Sequence, residues 1–259
     1  MDLKIALLPL DIAQGNKDAN LSALAAGVSE LPPGTDLLVL PELFSTGFVN
    51  DSGIMMRLAE PVSGKTVETL RKTAASAGIA IAGSFLCVVG NRMTNRGFFI
   101  EPSGDETWYD KRHLFCGSPE SNMLARGEEE SKVVRYRGWN IILEICYDIR
   151  FPVWCRNKGG RYDLMIVPAN WPAAREYEWR HLLIARAIEN RAYVVGANRS
   201  GSDSFGIYDN LSFIFDPLGR PVEGKGSGKL LLAELSKEKT DDIRAKMPVL
   251  NDADDFIIR

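Results

Sequence analysis

Histidine is scarce in this sequence: His113 and His181 are the only two in 259 residues. Its four cysteines, Cys87, Cys116, Cys146 and Cys155, form no C-x-x-C pair. Ligands so few and so scattered exclude a zinc site or a disulfide scaffold as the organising feature. Charge of one sign is missing as well. The 31 basic residues are interspersed among 34 acidic ones, for a net charge of −3, so the basic excess of a nucleic-acid binder is absent. No run approaches the ~20 apolar residues of a membrane span. The apolar start, Met1-Asp2-Leu3-Lys4-Ile5-Ala6-Leu7-Leu8-Pro9, is short and carries two charges, and reads as a first strand rather than a secretory leader. A reducing cytoplasm is the expected location, and there the Asn-x-Ser matches at Asn20, Asn198 and Asn210 are chance. Linkers rich in Pro, Ser or Gly, internal repeats and low-complexity tracts are also lacking.

What is present is an ordinary globular composition, 45% hydrophobic and 25% charged. A chain this long buries roughly 70–75% of its unfolded surface. One domain over 1–259 is expected, with the more polar 237–259 as a C-terminal arm. Strands are expected over 4–8 and 36–40, around a helix over 20–30 capped by Asp18 or Asn20. A second helix over 65–77 is capped by Ser63 and closed by Gly78, before a buried strand over 79–88. Hairpins follow at 95–101 with 107–110, and at 132–136 with 139–145. A short helix after Pro152, a strand over 163–167, a long helix over 175–190 and a strand over 192–197 come next. Strands over 211–215 and 229–235 close the sheet around Asp216-Pro217-Leu218-Gly219. Strand–helix units mixed with hairpins predict an α/β fold with mixed sheets covered by helices.

Two familiar motifs fail. Gly219-Arg220-Pro221-Val222-Glu223-Gly224-Lys225 has the spacing of a phosphate-binding loop, but Gly226 stands where a Ser or Thr must follow. Gly201-Ser202-Asp203-Ser204 lacks the frame of a hydrolase elbow serine.

Three strand ends carry reactive side chains. The apolar run Asn140-Ile141-Ile142-Leu143-Glu144-Ile145 delivers Cys146; Val39-Leu40-Pro41 delivers Glu42; Thr107-Trp108-Tyr109-Asp110 delivers Lys111. Nucleophile, base and cation are what acyl transfer from an amide needs. A free thiol is only a few per cent thiolate at neutral pH and requires a neighbouring base. Neither histidine suits that part, since His181 falls within the long helix, and the Glu42 carboxylate is the natural substitute.

The wording around these residues adds to that reading. Pro41-Glu42-Leu43-Phe44, Tyr109-Asp110-Lys111-Arg112-His113-Leu114-Phe115 and Cys146-Tyr147-Asp148-Ile149-Arg150-Phe151-Pro152 occur in order. With Ala169-Asn170-Trp171-Pro172-Ala173-Ala174-Arg175 and Ala185-Arg186-Ala187-Ile188-Glu189-Asn190, the chain resembles the carbon–nitrogen hydrolase (nitrilase) superfamily. The likeness runs from the first strand to Leu235 and is greatest to the bacterial omega-amidase, YafV-like branch. It implies an αββα sandwich with mixed sheets. It also implies Glu42 as general base, Lys111 as the cation stabilising the oxyanion, Cys146 as nucleophile, and Glu120 as a second glutamate orienting Lys111 and the substrate amide. The backbone N–H of Tyr147 is expected to complete the oxyanion site. Hydrolysis through a cysteine thioester, with no metal or organic cofactor, is the chemistry so implied, in a homodimer or larger assembly.

The substrate implied is a short monoamide bearing a carboxylate, such as the 2-oxo acids related to glutamine and asparagine. Its carboxylate calls for a cation, and Arg150 and Arg175 are the candidates. The alternatives are a structural pair of Arg150 with Asp148 or another acid, and a surface role for Arg175. Phe44, Trp171 and Trp179 are candidate pocket walls. Arg186 and Glu189 are neighbours on one helix face and suit bracing. Two departures from the family pattern stand out. Strand alternation would put Glu144 on the Cys146 face, with its role open, and Tyr208-Asp209-Asn210-Leu211-Ser212 lacks a glycine often found there. The competing readings are another C–N hydrolase, either a nitrilase or an N-carbamoyl-amino-acid amidase, and a catalytically silent binding protein on the same fold.

Overall fold

The computed structural model describes residues 2–258; Met1 and Arg259, the two ends of the span read as one domain, lie outside the described residues. In chain order come β1 (Asp2–Leu7), α1 (Lys17–Ser29), β2 (Leu37–Val39), α2 (Ser52–Leu58), α3 (Lys65–Ala77) and β3 (Ala80–Val89). Then follow β4 (Arg92–Ile100), β5 (Glu106–Asp110), α4 (Glu120–Met123), β6 (Val134–Tyr136), β7 (Trp139–Leu143) and β8 (Leu164–Ala169). The remainder is α5 (Glu176–Asn190), β9 (Tyr193–Asn198), β10 (Ser200–Asp203), β11 (Gly206–Asp209), β12 (Phe213–Phe215), β13 (Lys225–Ser227), β14 (Leu230–Ser236) and α6 (Lys237–Lys246).

A seven-stranded sheet runs β13-β14-β1-β2-β3-β4-β5, and a five-stranded sheet runs β12-β9-β8-β7-β6. Both have parallel centres, β1–β2–β3 and β7–β8–β9. Strands covered on both faces read as unbroken apolar runs, as Leu37-Leu38-Val39 and Leu164–Ala169 do, all buried. Alternation divides these strands between two cores. Leu3, Ile5, Leu7, Leu37 and Val39 share one core with Ile141, Leu164 and Ile166 of the other sheet. Ala6, Leu38, Leu40 and Ile81 instead meet Leu24 of α1 and Val67 and Leu70 of α3. α5 covers the outer face of the five-stranded sheet so closely that a Cβ on Gly196 would sit 2.5 Å from Leu183 and 2.6 Å from Trp179. Helix, sheet, sheet and helix are stacked in that order: the αββα sandwich with mixed sheets. Among the described residues no helix is long and apolar enough to cross a membrane.

Several local expectations are corrected. α1 begins at Lys17, because Asn16 caps it, its side chain accepting from Ala19 N at 3.1 Å. Asn20 is instead buried, donating to the carbonyls of Ala13 and Ser45. α3 starts from Gly64 without a side-chain cap, so Ser63 has no such role, whereas Gly78 closes it in the left-handed conformation. α2, capped by Asp51, is a short addition that hydrophobic periodicity does not announce. The short helix expected after Pro152 is reduced to a 3-10 turn, Lys158–Gly160, and a further 3-10 segment, Cys146–Arg150, precedes that proline. β12 and β14 close no common sheet: β12 pairs with β9 and β14 with β1, a non-local choice to which the turn between them is blind. The polar C-terminal stretch begins with α6, which Lys237 and Arg244 tie to the buried Asp163.

Candidate active site

The three strand ends turn inward by bends that the residue types do not advertise. After β2, Leu40 N still bonds Ala82 O at 2.8 Å, and the chain then kinks at Leu43 with φ 47°. Ser84 on β3 holds that kink, its hydroxyl accepting from Leu43 N and its carbonyl from Phe44 N, at 2.9 and 3.0 Å. Beyond β7, Glu144 N continues the ladder to Ile166 O at 3.0 Å, and Cys146 reverses it with φ 46°. A side chain with a Cβ in the left-handed region costs of order 1–3 kcal/mol and persists only where surroundings enforce it. Asp148 does so here, accepting from Ile145 N at 3.0 Å.

Lys111, just past β5, is fixed by its backbone: its N bonds Asn95 O at 2.9 Å and its O accepts from Gly127 N at 2.8 Å. A Cβ on Gly127 would lie 2.0 Å from the Asp110 carbonyl oxygen. Gly127→Ala is therefore expected to cost about 1–3 kcal/mol through overpacking, read by denaturant titration. Turnover should fall with it, since the strand end carrying Lys111 must shift.

These bends bring Glu42, Lys111, Cys146 and Glu120 together, all buried. Lys111 Nζ donates to Glu42 Oε1 at 2.8 Å and to both oxygens of Glu120 at 2.8 and 2.9 Å. Glu42 also accepts from Asn95 Nδ2 at 2.8 Å and from the backbone N–H of Asn170 at 2.9 Å. Glu120, at the start of α4, accepts from Phe115 N at 2.8 Å as well. Burial works against the Lys111 ammonium, but the Glu120 and Glu42 charges outweigh it and hold its pKa well above the ordinary lysine value. Burial, then the Glu42 charge, push the Cys146 pKa well up, with Lys111 opposing. Both effects that raise it, burial and the neighbouring Glu42 charge, favour the neutral thiol over the thiolate.

A cavity of about 170 Å³ opens over this cluster, walled by Leu43, Phe48, Phe115, Tyr147, Trp171 and Phe205. Phe44, expected in the wall, is a core residue: it is fully buried and meets Phe98 edge-on at 5.8 Å. The kink at Leu43 explains the exchange, turning Leu43 to the cavity and Phe44 to the outer core. Trp179 stands one layer back, stacked on Trp171 at 5.1 Å and donating to Leu211 O. Arg150 and Arg175 both reach the cavity. Arg150 pairs with Glu178, not Asp148, and lies 4.8 Å over the Trp171 ring. The Arg175 guanidinium lies 5.0 Å over the Phe115 ring, and no carboxylate among the described residues forms an ion pair with it.

Glu144 does not share the Cys146 face. The strand ends at Leu143 and the left-handed Cys146 breaks the alternation, so Glu144 turns beneath the site toward the Tyr109 hydroxyl. The 208–212 segment forms the rim with the β10–β11 hairpin: Tyr208 bonds Asp203, and Phe205 at the tip meets Phe48 edge-on at 5.4 Å. Arg186 pairs with Glu189 and donates to Ile149 O at 2.8 Å, bracing the turn that bears Cys146.

Sequence reasoning overlooks Asn95, Ser84 and Asn170. Asn95 had a signal, a lone amide inside a strand. Asn170 contributes its backbone, which no side chain reveals.

The family model for carbon-nitrogen hydrolases matches residues 4–245. An omega-amidase YafV from Yersinia enterocolitica is 39% identical over 261 residues, covering 99% of this chain and 98% of its own. A 2-oxoglutaramate amidase from Bacillus subtilis is 33% identical over 258 residues, covering 97% and 98%. The structure of a CN-hydrolase superfamily protein from Xanthomonas campestris, with an arsenic adduct in its active site, superposes with a TM-score of 0.93 at 36% identity, covering 100% of both chains. By sequence and by fold, the chain belongs to the carbon–nitrogen hydrolase family and is an enzyme of it.

Proposed function

We propose that the protein is an omega-amidase-type amidase, releasing ammonia from a short monoamide with a carboxylate at its far end, such as 2-oxoglutaramate or 2-oxosuccinamate. One observation carries the reading: Cys146, Glu42 and Lys111 line the same cavity as Arg175, with Lys111 bonded to Glu42. In the first step the sulfur attacks the amide carbon while Glu42 takes its proton. The oxyanion is met by the Lys111 ammonium and the Tyr147 N–H. As the intermediate collapses, Glu42 returns the proton to the departing nitrogen, leaving ammonia and a Cys146 thioester. Water, deprotonated by Glu42, then cleaves the thioester to the acid and restores the thiol. Glu120 keeps Lys111 aimed throughout. The homodimeric assembly, single domain and cytoplasmic location expected from the sequence belong to the same proposal.

Arg175 is the receptor for the substrate carboxylate in this reading, because Arg150 is committed to Glu178. Arg175→Gln should raise KM for carboxylate-bearing amides by about 10–100-fold, the worth of a charge-assisted hydrogen bond, with kcat less affected. Simple aliphatic amides of the same length should show no such rise. Ammonia release from a monoamide, a nitrile and an N-carbamoyl acid tests the reaction class; preference for either of the last two would overturn it.

A further inference from the structure

Beneath Cys146 lies a buried polar cluster with no part in the steps above. The Tyr109 hydroxyl has three partners: Trp154 Nε1 at 2.9 Å, Asp148 Oδ2 at 2.9 Å and Glu144 Oε2 at 3.0 Å. The indole N–H is a donor only, so it occupies one lone pair of that oxygen. A hydroxyl has a single proton and cannot satisfy two carboxylates at once. Asp148 is already surrounded by donors: Ile145 N and Tyr109 on Oδ2, and His113 N on Oδ1 at 2.8 Å, where the His113 Nδ1 also lies 2.9 Å away. That is a carboxylate's environment, and the Tyr109 proton belongs to it. The remaining contact then closes only if the proton between Glu144 and Tyr109 comes from Glu144. Its other oxygen, Oε1, is buried with no hydrogen-bond partner among the described residues. A neutral acid tolerates that far better than an anion does. Arg161, whose charge acts on Glu144, pairs with Glu130 at 3.0 Å, and its own buried Nε makes no hydrogen bond to Glu144.

We propose that Glu144 is a neutral carboxylic acid that donates its proton to the Tyr109 hydroxyl and so positions the Cys146 turn against Lys111. The route is short. Glu144 orients the Tyr109 hydroxyl, whose proton fixes Asp148. Asp148 in turn holds Ile145, the residue before Cys146, and His113, two residues beyond Lys111. Tyr109 itself precedes Lys111 by two residues, so the cluster ties together the strand ends that bear the thiol and the ammonium. Burial, then the charge of Asp148, hold the Glu144 pKa well above the usual carboxylate range, in keeping with this count. Glu144 is a positioning residue and touches no substrate. Its kinetic effect rests on the proposed roles of Cys146 and Lys111, whereas its protonation state does not.

Two measurements test these parts separately. Infrared difference spectroscopy of the wild-type protein against Glu144→Gln, without substrate, should show the carbonyl stretch of one protonated carboxyl. No such band means that Glu144 is ionised and the proposal fails, whatever the fate of the Cys146 reading. In kinetics, Glu144→Gln still offers an N–H to Tyr109 and should stay within a few-fold of wild type. Glu144→Leu and Tyr109→Phe should lose about 10–100-fold in kcat with KM little changed, as expected when a reacting group is displaced by a fraction of an ångström. A Gln variant as poor as the Leu variant, or a Leu variant with full kcat, would overturn the positioning role. Should the Leu variant not fold, the infrared band and Tyr109→Phe decide.

Discussion

On the proposed mechanism, Cys146→Ala is expected to lower turnover by at least ~10³-fold, as for loss of a nucleophile that acts as one unit with its base, and Cys146→Ser to recover little of it. The serine result follows from the charge around the site. Burial, then the Glu42 charge, already raise the pKa of the thiol there, with Lys111 opposing. An alcohol starts far higher and is penalised in the same direction, so Glu42 is too weak a base for it. Intact-mass spectrometry of wild-type enzyme during turnover should show an acyl adduct that peptide mapping places on Cys146. The competing thiols make the mapping necessary. Cys155 is buried, donates to Asp148 O at 3.3 Å, and burial raises its pKa well up. Cys116 is exposed, 3.7 Å from the Tyr147 hydroxyl. Iodoacetamide should therefore reach Cys116 before Cys146, and labelling without mapping would mislead. An acyl group found on Cys116 or Cys155, with Cys146→Ser fully active, would discard the assignment.

The parts of the site that the sequence makes legible are those where one reactive residue ends a run of opposite character. Glu42 after Leu37–Val39 and Lys111 after the aromatic end of β5 are of this kind. Leu37–Val39 becomes a strand because both faces are covered, so a charged residue at its end must sit where the sheet opens, whereas β5 is the partly exposed edge strand of its sheet. What escapes is decided by backbone or by distant pairing. Leu43 and Cys146 adopt left-handed φ although neither is glycine or asparagine, and local propensity argues against both conformations. The expected face of Glu144 fails because alternation does not run through the kink that Asp148 enforces, and Phe44 leaves the pocket wall because of the kink that Ser84 enforces. The partners of β12 and β14 lie in separate sheets for a comparable reason: the turn at 216–219 is satisfied internally, Asp216 accepting from Leu218 N and Arg220 N, and does not join them.

Lys111→Met should have the second large effect, and on two quantities at once. Removing a donor aimed at a developing oxyanion costs about 10²–10³-fold in kcat. It also strands Glu42 and Glu120, which share this ammonium in a buried site. Taking one partner from a buried ion pair destabilises by about 3–5 kcal/mol, part of which the site recovers by protonating one of the carboxylates. Low activity in the single variant therefore has two causes, lost oxyanion stabilisation and a weakened fold, and the double variant Lys111→Met/Glu120→Gln separates them. With one carboxylate neutralised, the charge count around Glu42 returns to its starting value, and denaturant titration should show most of the stability restored. Turnover should not return, because no cation faces the carbonyl oxygen. A double variant that regains activity along with stability would mean that Lys111 only neutralises buried acid, and the oxyanion role would have to pass to backbone N–H groups such as that of Tyr147.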